Sequence, residues 1–414
     1  SSSTSSSSTS SSSSTTSSSS SSSSGGAPPA RDSDGDGLVD AVDTDDDNDG
    51  ISDSQETLDG TNPYDRGSGE RPLGRSFCGE WNGFLGGMGN ILELVNLSNR
   101  AVAMQVHLYS QAGAQVSSQT LTLNPGRQLD SLVHDFRGRA LNSYGSVCMS
   151  HDGSDGDVDG RMVYYKAPNP RLRSRMRKDF QFAFAMPLTN GKTGTQYVSF
   201  NTFQPSMRAD EQENGVANWI QLTNVSEQAA GGWLRFFDGE GVQLGARRVD
   251  LESGQRFDSS GHVFGRNRSG MVEWMPDQPA ARFQMRNVRY VYDNATWQES
   301  FTTAFQLEAQ YGSGESLAVP LSTEGESSIL EISNTLGTDV STEVQIYGDD
   351  GLPIDHFVFA LRPMGSRHII LDSVLGIGRK GLAVVKGGSP NSLAVVAMQY
   401  GKREDGGIAY LYGL

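Results

Sequence analysis

The 414-residue sequence predicts an all-β protein dominated by three tandem β-sandwich modules, and three observations carry that expectation. One segment pattern recurs three times. Its apolar residues alternate with the two-residue period of a half-buried strand. Short β-branched and aromatic runs are separated by turn residues, glycine above all, with 49 copies. Ahead of the modules the chain reads as a Ser/Thr-rich extended segment and an irregular acidic spacer. The expected divisions are 1–30, 31–66, 67–190, 191–322 and 323–414, the last three being modules 1, 2 and 3.

Residues 1 to 24 are twenty serines and four threonines, followed by `GGAPPA`. With no apolar side chain to bury, such a tract does not offset the entropy of ordering on its own. It reads as a linker or, with O-linked glycans on its hydroxyls, as an extended stalk.

The spacer explains the net charge. The formal charge is −16, yet Arg31 to Asp65 alone hold thirteen acids and one base, leaving 36 acids against 32 bases elsewhere. A local excess of this kind asks for a cation. Two consecutive loops follow the calcium pattern of oxygen ligands at positions 1, 3, 5, 7, 9 and 12 with glycine at 6. The first places Asp32, Asp34, Asp36, Gly37, the Leu38 carbonyl, Asp40 and Asp43 on it; the second places Asp45, Asp47, Asp49, Gly50, the Ile51 carbonyl, Asp53 and Glu56. Asp43 is shorter than the usual bidentate glutamate, so weaker binding is expected in the first loop. The donors are hard oxygens with no Cys or His cluster beside them, which favours Ca2+ over zinc. The loops start thirteen residues apart, leaving no room for the flanking helices of an EF-hand.

This stretch resembles a thrombospondin type 3 repeat, and the following `GTNPYD`, Gly60 to Asp65, is similar to the ending of its bacterial versions. The resemblance covers residues 32–65 only. It implies a calcium-wrapped spacer on an extracellular protein, with Asn62 and Asp65 as further ligands.

The three copies begin at Ile91, Ile220 and Ile329, with Asn96, Asn224 and Asn334 as anchors. Thirteen residues later stand Tyr109, Phe237 and Tyr347; seventeen later, Gly113, Gly241 and Gly351; twenty-seven later, Leu123, Leu251 and Leu361. Gly145, Gly270 and Gly381 each open a later strand, and Tyr165, Tyr290 and Tyr400 follow. The units are read as closing with `FAFAMPL`, `SLAVPL` and `IAYLYGL`. Six to eight short strands per unit point to sandwiches of immunoglobulin-like type, although the Cys-Trp-Cys signature is missing. `SQAG`, `DGEG` and `GDDG` supply a hairpin whose last glycine takes positive φ. The recurring Asn is expected to cap the turn after its strand. Asn96, Asn224, Asn267 and Asn294 are also glycosylation sequons. Cys78 and Cys148, the two cysteines, are read either as a disulfide, worth roughly 4 kcal/mol by chain entropy, or as buried thiols.

Other motifs weigh less. `SHDGSDGDVDGR`, Ser150 to Arg161, holds half a calcium loop and reads as a polar hairpin tip; `RLRSRMRK`, Arg171 to Lys178, lacks the interleaved aromatics of a nucleic-acid site. The six histidines are scattered, and neither a nucleophile elbow nor a phosphate-binding loop is present, so no enzyme is expected. No run approaches the roughly 18 apolar residues of a membrane span. The expected function is an extracellular, calcium-stabilised structural protein, a subunit of a surface filament, sheath or appendage whose partners are other copies of itself. The alternative is a stalked adhesin or carbohydrate-binding protein that uses Trp81, Trp219, Trp233 or Trp297.

Overall fold

The computed structural model describes residues 31, 33, 38–44, 46, 53, 63–64, 77–82, 88–133, 136, 143–154, 156–166, 182–202, 216–265, 267–292, 301–314, 316–324, 326–402 and 408–413. The chain divides into two compact units, Ser1–Arg71 and Pro72–Leu414. The Ser/Thr tract, `RLRSRMRK` and Asn294 lie outside the described residues.

Pro72–Leu414 is nearly all β. Module 1 comprises β1 Phe77–Asn82, β2 Met88–Asn96, β3 Val102–Ser110, β4 Gln115–Leu123, β5 Gln128–Leu132, β6 Tyr144–His151, β7 Val158–Lys166 and β8 Phe182–Pro187. Module 2 comprises β9 Gln196–Asn201, β10 Val216–Asn224, β11 Ala230–Asp238, β12 Gln243–Leu251, β13 Arg256–Ser260, β14 Ser269–Pro276, β15 Phe283–Tyr292 and β16 Phe301–Glu308. Module 3 comprises β17 Leu317–Ser322, β18 Glu326–Asn334, β19 Val340–Gly348, β20 Pro353–Leu361, β21 Ser366–Ile370, β22 Lys380–Gly387, β23 Leu393–Lys402 and β24 Ile408–Gly413, with one helical turn, α1, at Asp372–Leu375. If the eight strands of a module are lettered a to h, each module has one four-stranded sheet in the order a-f-c-d and another in the order e-b-g-h. Strand b pairs with e and c with f, as in immunoglobulin sandwiches, whereas g pairs with b and a with f, which departs from the ABED/CFG order.

These pairings correct one boundary. `SLAVPL` was expected to close module 2, but β17 pairs with β22 from Leu317↔Val385 to Ser322↔Lys380, so it opens module 3. The strand that closes module 2 is β16, paired to β15. Alternation marks a strand without naming its partner. The polar turn after His151 likewise joins β6 of one sheet to β7 of the other, not two strands of a hairpin.

The repeat anchors have local causes. Asn96, Asn224 and Asn334 are each fully buried. Each accepts, through Oδ1, the N–H two residues on, from Ser98 at 2.9 Å, Ser226 at 2.9 Å and Leu336 at 2.8 Å. Each donates through Nδ2 to the carbonyls of Arg100 and Leu123, of Gln228 and Leu251, or of Thr338 and Leu361. The amide thereby ties the b–c turn to the end of strand d, and sequons Asn96 and Asn224 are occupied by this structural role. The c–d pairing slips at the same place in every copy, between Leu108 and Tyr109, Phe236 and Phe237, and Ile346 and Tyr347. Gly113, Gly241 and Gly351 turn these hairpins at φ of 81°, 80° and 75°. The glycine near the start of strand f answers to the same bulge, since a Cβ at Gly145, Gly270 or Gly381 would collide with the carbonyl of Tyr109, Phe237 or Tyr347.

Alternation then builds the cores. Strands β2 and β3 bury every second residue, placing Leu92, Leu94, Val102, Met104, Val106 and Leu108 inside. Each core draws on both sheets of its module, and the first two draw on the next module as well. Core 1 takes in Ala217, Val288, Tyr290 and Ala304 of module 2; core 2 takes in Val396 and Met398 of module 3. The modules are therefore fused by buried surface.

Candidate functional site

Ser1–Arg71 holds the predicted metal loops. Of the expected ligands, Leu38, Asp40, Asp43 and Asp53 are described; Asp32, Asp34, Asp36, Asp45, Asp47, Asp49, Ile51, Glu56, Asn62 and Asp65 lie outside the described residues. The described part closes both loops in the same way. The N–H of Asp40 donates to the carbonyl of Arg31 at 2.9 Å, and that of Asp53 to the carbonyl of Thr44 at 3.0 Å, in each case from position 9 back to the residue before position 1. The position-9 carboxylate in turn accepts the N–H of position 2, from Ser33 to Asp40 at 2.9 Å and from Asp46 to Asp53 at 2.8 Å. In each loop, position 9 is thus fastened to both the residue before position 1 and the residue at position 2.

Asp40 carries further partners, the Ser33 hydroxyl at 2.9 Å and the Arg31 guanidinium at 3.6 Å. A position-9 group engaged in this way fits its usual part in such loops, reaching the ion through water. Arg31 also lies 4.6 Å over the Tyr64 ring. Asp43, at position 12 of the first loop, accepts the N–H of Thr44 at 2.7 Å, which engages one of its oxygens. Leu38, expected to contribute its carbonyl, is 51% exposed. Reading the sequence for acids alone missed Ser33 and Arg31; their positions, second in the loop and just before it, were the available signal.

The junctions between modules hold the strongest buried electrostatics. Glu80 and Arg286 form an ion pair in which both side chains are 0% exposed. Thr223 donates to Glu80 at 3.3 Å, and Arg286 also donates to the Pro187 carbonyl. Arg256, likewise buried, donates to the carbonyls of Trp81 at 3.3 Å and Gly145 at 3.2 Å. Burial alone would lower its pKa, but the Asp258 and Glu80 carboxylates outweigh that and raise it. Burial raises the pKa of Asp258 against the pull of Arg256. Between modules 2 and 3, Arg289 faces Glu331 at 3.7 Å with both side chains buried. Burial pushes the hydroxyls of Tyr290 and Tyr400, one at each junction, up to about 12.

Cys78 and Cys148 are joined, and they stand directly opposite each other on β1 and β6. The pair clusters with Val225 of module 2. Trp81 is buried and Trp219 packs against core 1; Trp233 is 40% exposed, and Trp297 lies outside the described residues. No family model matches the chain, and no curated protein matches its sequence.

Proposed function

We propose that this chain is an extracellular, calcium-stabilised structural protein, a subunit of a surface filament, sheath or appendage assembled from copies of itself. The observation that carries the reading is the fusion of three equivalent modules through shared cores and buried ion pairs, a construction suited to a strut. Segment 32–65, similar to a thrombospondin type 3 repeat, holds Ca2+ on Asp32, Asp34, Asp36, Asp40 and Asp43 and on Asp45, Asp47, Asp49, Asp53 and Glu56, with the Leu38 and Ile51 carbonyls. The matching closure of both loops supports this assignment. Bound ions would turn an acidic, self-repelling string into a stiff connector. Millimolar calcium is met outside cells, and modules of this type are tuned to it. The joined cysteine pair suits the same oxidising setting. The Ser/Thr tract serves as a glycan-bearing stalk, and the chain carries no catalysis. Negative-stain imaging with and without chelator tests the reading: polymers that loosen on chelation are expected, and monomers in both conditions overturn it.

One observation favours the adhesin alternative. Trp233 and Met275 are directly paired on β11 and β14, and both are exposed, at 40% and 37%, forming an apolar platform of the kind that stacks on sugar rings. A glycan array separates the two, since binding lost in Trp233→Ala supports the adhesin.

A further inference from the structure

The two junctions inside Pro72–Leu414 are one junction used twice. Arg256 N–H donates to the carbonyl of Gln111 at 3.3 Å, and Ser366 N–H donates to the carbonyl of Gly239 at 2.9 Å. Gln111 and Gly239 each stand fifteen residues past their anchor Asn, and Arg256 and Ser366 each stand thirty-two past theirs. Asn82 donates to the Tyr290 hydroxyl at 3.2 Å, and the equivalent pair, Asn201 and Tyr400, is also hydrogen-bonded. The linker before each following module forms the same bridge, Lys192↔Phe283 and Ser313↔Leu393. The residue after the anchor is buried both times, Val225 at 8% and Thr335 at 4%.

The same surfaces recur at the two ends of the series. On module 1 the residue after the anchor is Leu97, a larger hydrophobe than either equivalent, and it is 63% exposed. On module 3, register with the f strand makes Ala318 the equivalent of Cys78 and Tyr197, and Leu382 the equivalent of Ser146 and Met271. Ser146 and Met271 are 0% and 1% exposed, whereas Leu382 is 36% exposed and Ala318 is exposed too. The turns that meet at the second junction carry opposite charges, Glu240 pairing with Arg362 at 3.2 Å. At the ends, the equivalent turns carry Asp349 and Asp350 on module 3 and Arg127 on module 1, all exposed.

We propose that a second copy of this chain docks head to tail, its module 1 seated on module 3 of the first copy as module 3 is seated on module 2. Leu97 then packs against Ala318 and Tyr347, as Val225 packs against Cys78 and Tyr109. A contact between two different faces is heterologous, so each added copy presents the same free face again and growth runs on as a filament unless the rotation closes a ring. This rests on the assembly reading above and names the surfaces that would build it.

The test uses the full chain with calcium present. Oxidation of the double variant Leu97→Cys/Ala318→Cys is expected to give a ladder of covalent oligomers on a non-reducing gel, while either single variant stops at dimers. Asp350→Arg and Arg127→Glu are each expected to raise the protein concentration needed for assembly, read by sedimentation velocity, at least tenfold. Combining them is expected to restore it. Filaments that form without the ladder, and whose assembly ignores both charge changes, overturn this docking and leave the filament reading standing. A chain that stays monomeric at every concentration overturns both.

Discussion

Replacing Glu80 by alanine removes one half of an ion pair whose two side chains are wholly shut off from solvent. The Arg286 guanidinium would remain, with the Pro187 carbonyl as a surviving partner and cores 1 and 2 around its strand. Breaking a buried pair from one side typically costs about 3–5 kcal/mol, because a charge is left uncompensated in low dielectric. The hydrogen bond from Thr223 is lost as well, adding about 1 kcal/mol. Against a typical total of about 5–15 kcal/mol for a folded unit this is a large fraction. Urea denaturation followed by tryptophan fluorescence should show the midpoint falling, with Trp81, next to Glu80 on β1, reporting on the junction. The control is Glu80→Leu/Arg286→Met, which removes both charges and keeps apolar volume. It should recover most of the loss, since a buried pair replaced by well-packed hydrophobes is often neutral or better. A Glu80→Ala penalty below about 1 kcal/mol, or a double variant as unstable as the single one, would refute the claim that charge pairing holds modules 1 and 2 together.

Four further outcomes are expected. Asn224→Ala deletes two donated bonds and one accepted bond at a fully buried site and should cost about 2–4 kcal/mol by the same denaturation assay. Expressed in a eukaryotic secretory host, the chain should carry glycan at exposed Asn267 and none at buried Asn96 or Asn224, as read by peptide mass spectrometry. Tyr290 ionises near its ordinary value of 10 when unfolded but at about 12 when folded, so the unfolded state sheds its proton first. Tyr290 should therefore contribute a fall in stability of about 1.4 kcal/mol per pH unit between 10 and 12, and Tyr290→Phe should make the slope shallower by that share, leaving the share of Tyr400 in place. In the acidic spacer, Asp53→Ala should weaken calcium uptake at the second loop by tenfold or more in calorimetry, leaving uptake at the first loop in place.

What was legible in the sequence was what is fixed within one hairpin or one turn. Asn96, Tyr109, Gly113 and Leu123 keep their spacing in all three copies because the b–c turn and the bulged c–d hairpin tie them together over fewer than thirty residues. The membership of β17 was not legible. `SLAVPL` and `FAFAMPL` share an alternating run ending in Pro-Leu, and nothing within either says whether it pairs backward, as β8 does with β7, or forward across about sixty residues, as β17 does with β22. The junctions were hidden for a related reason. Glu80 and Arg286 are 206 residues apart, and each alone reads as a surface charge on a strand. A signal does exist in β15, `FQMRNVRYVY`, where both faces mix apolar residues with Gln, Arg or Asn. Phe283 through Val291 are all buried, so a strand covered on both sides must find partners for every polar group it carries, and two arginines on such a strand imply acids brought in from elsewhere. That requirement distinguishes a fused series from beads on a string. Independent sandwiches would leave the outer face of the e-b-g-h sheet wet and polar, whereas modules 2 and 3 use that face to cover the core of the module before them.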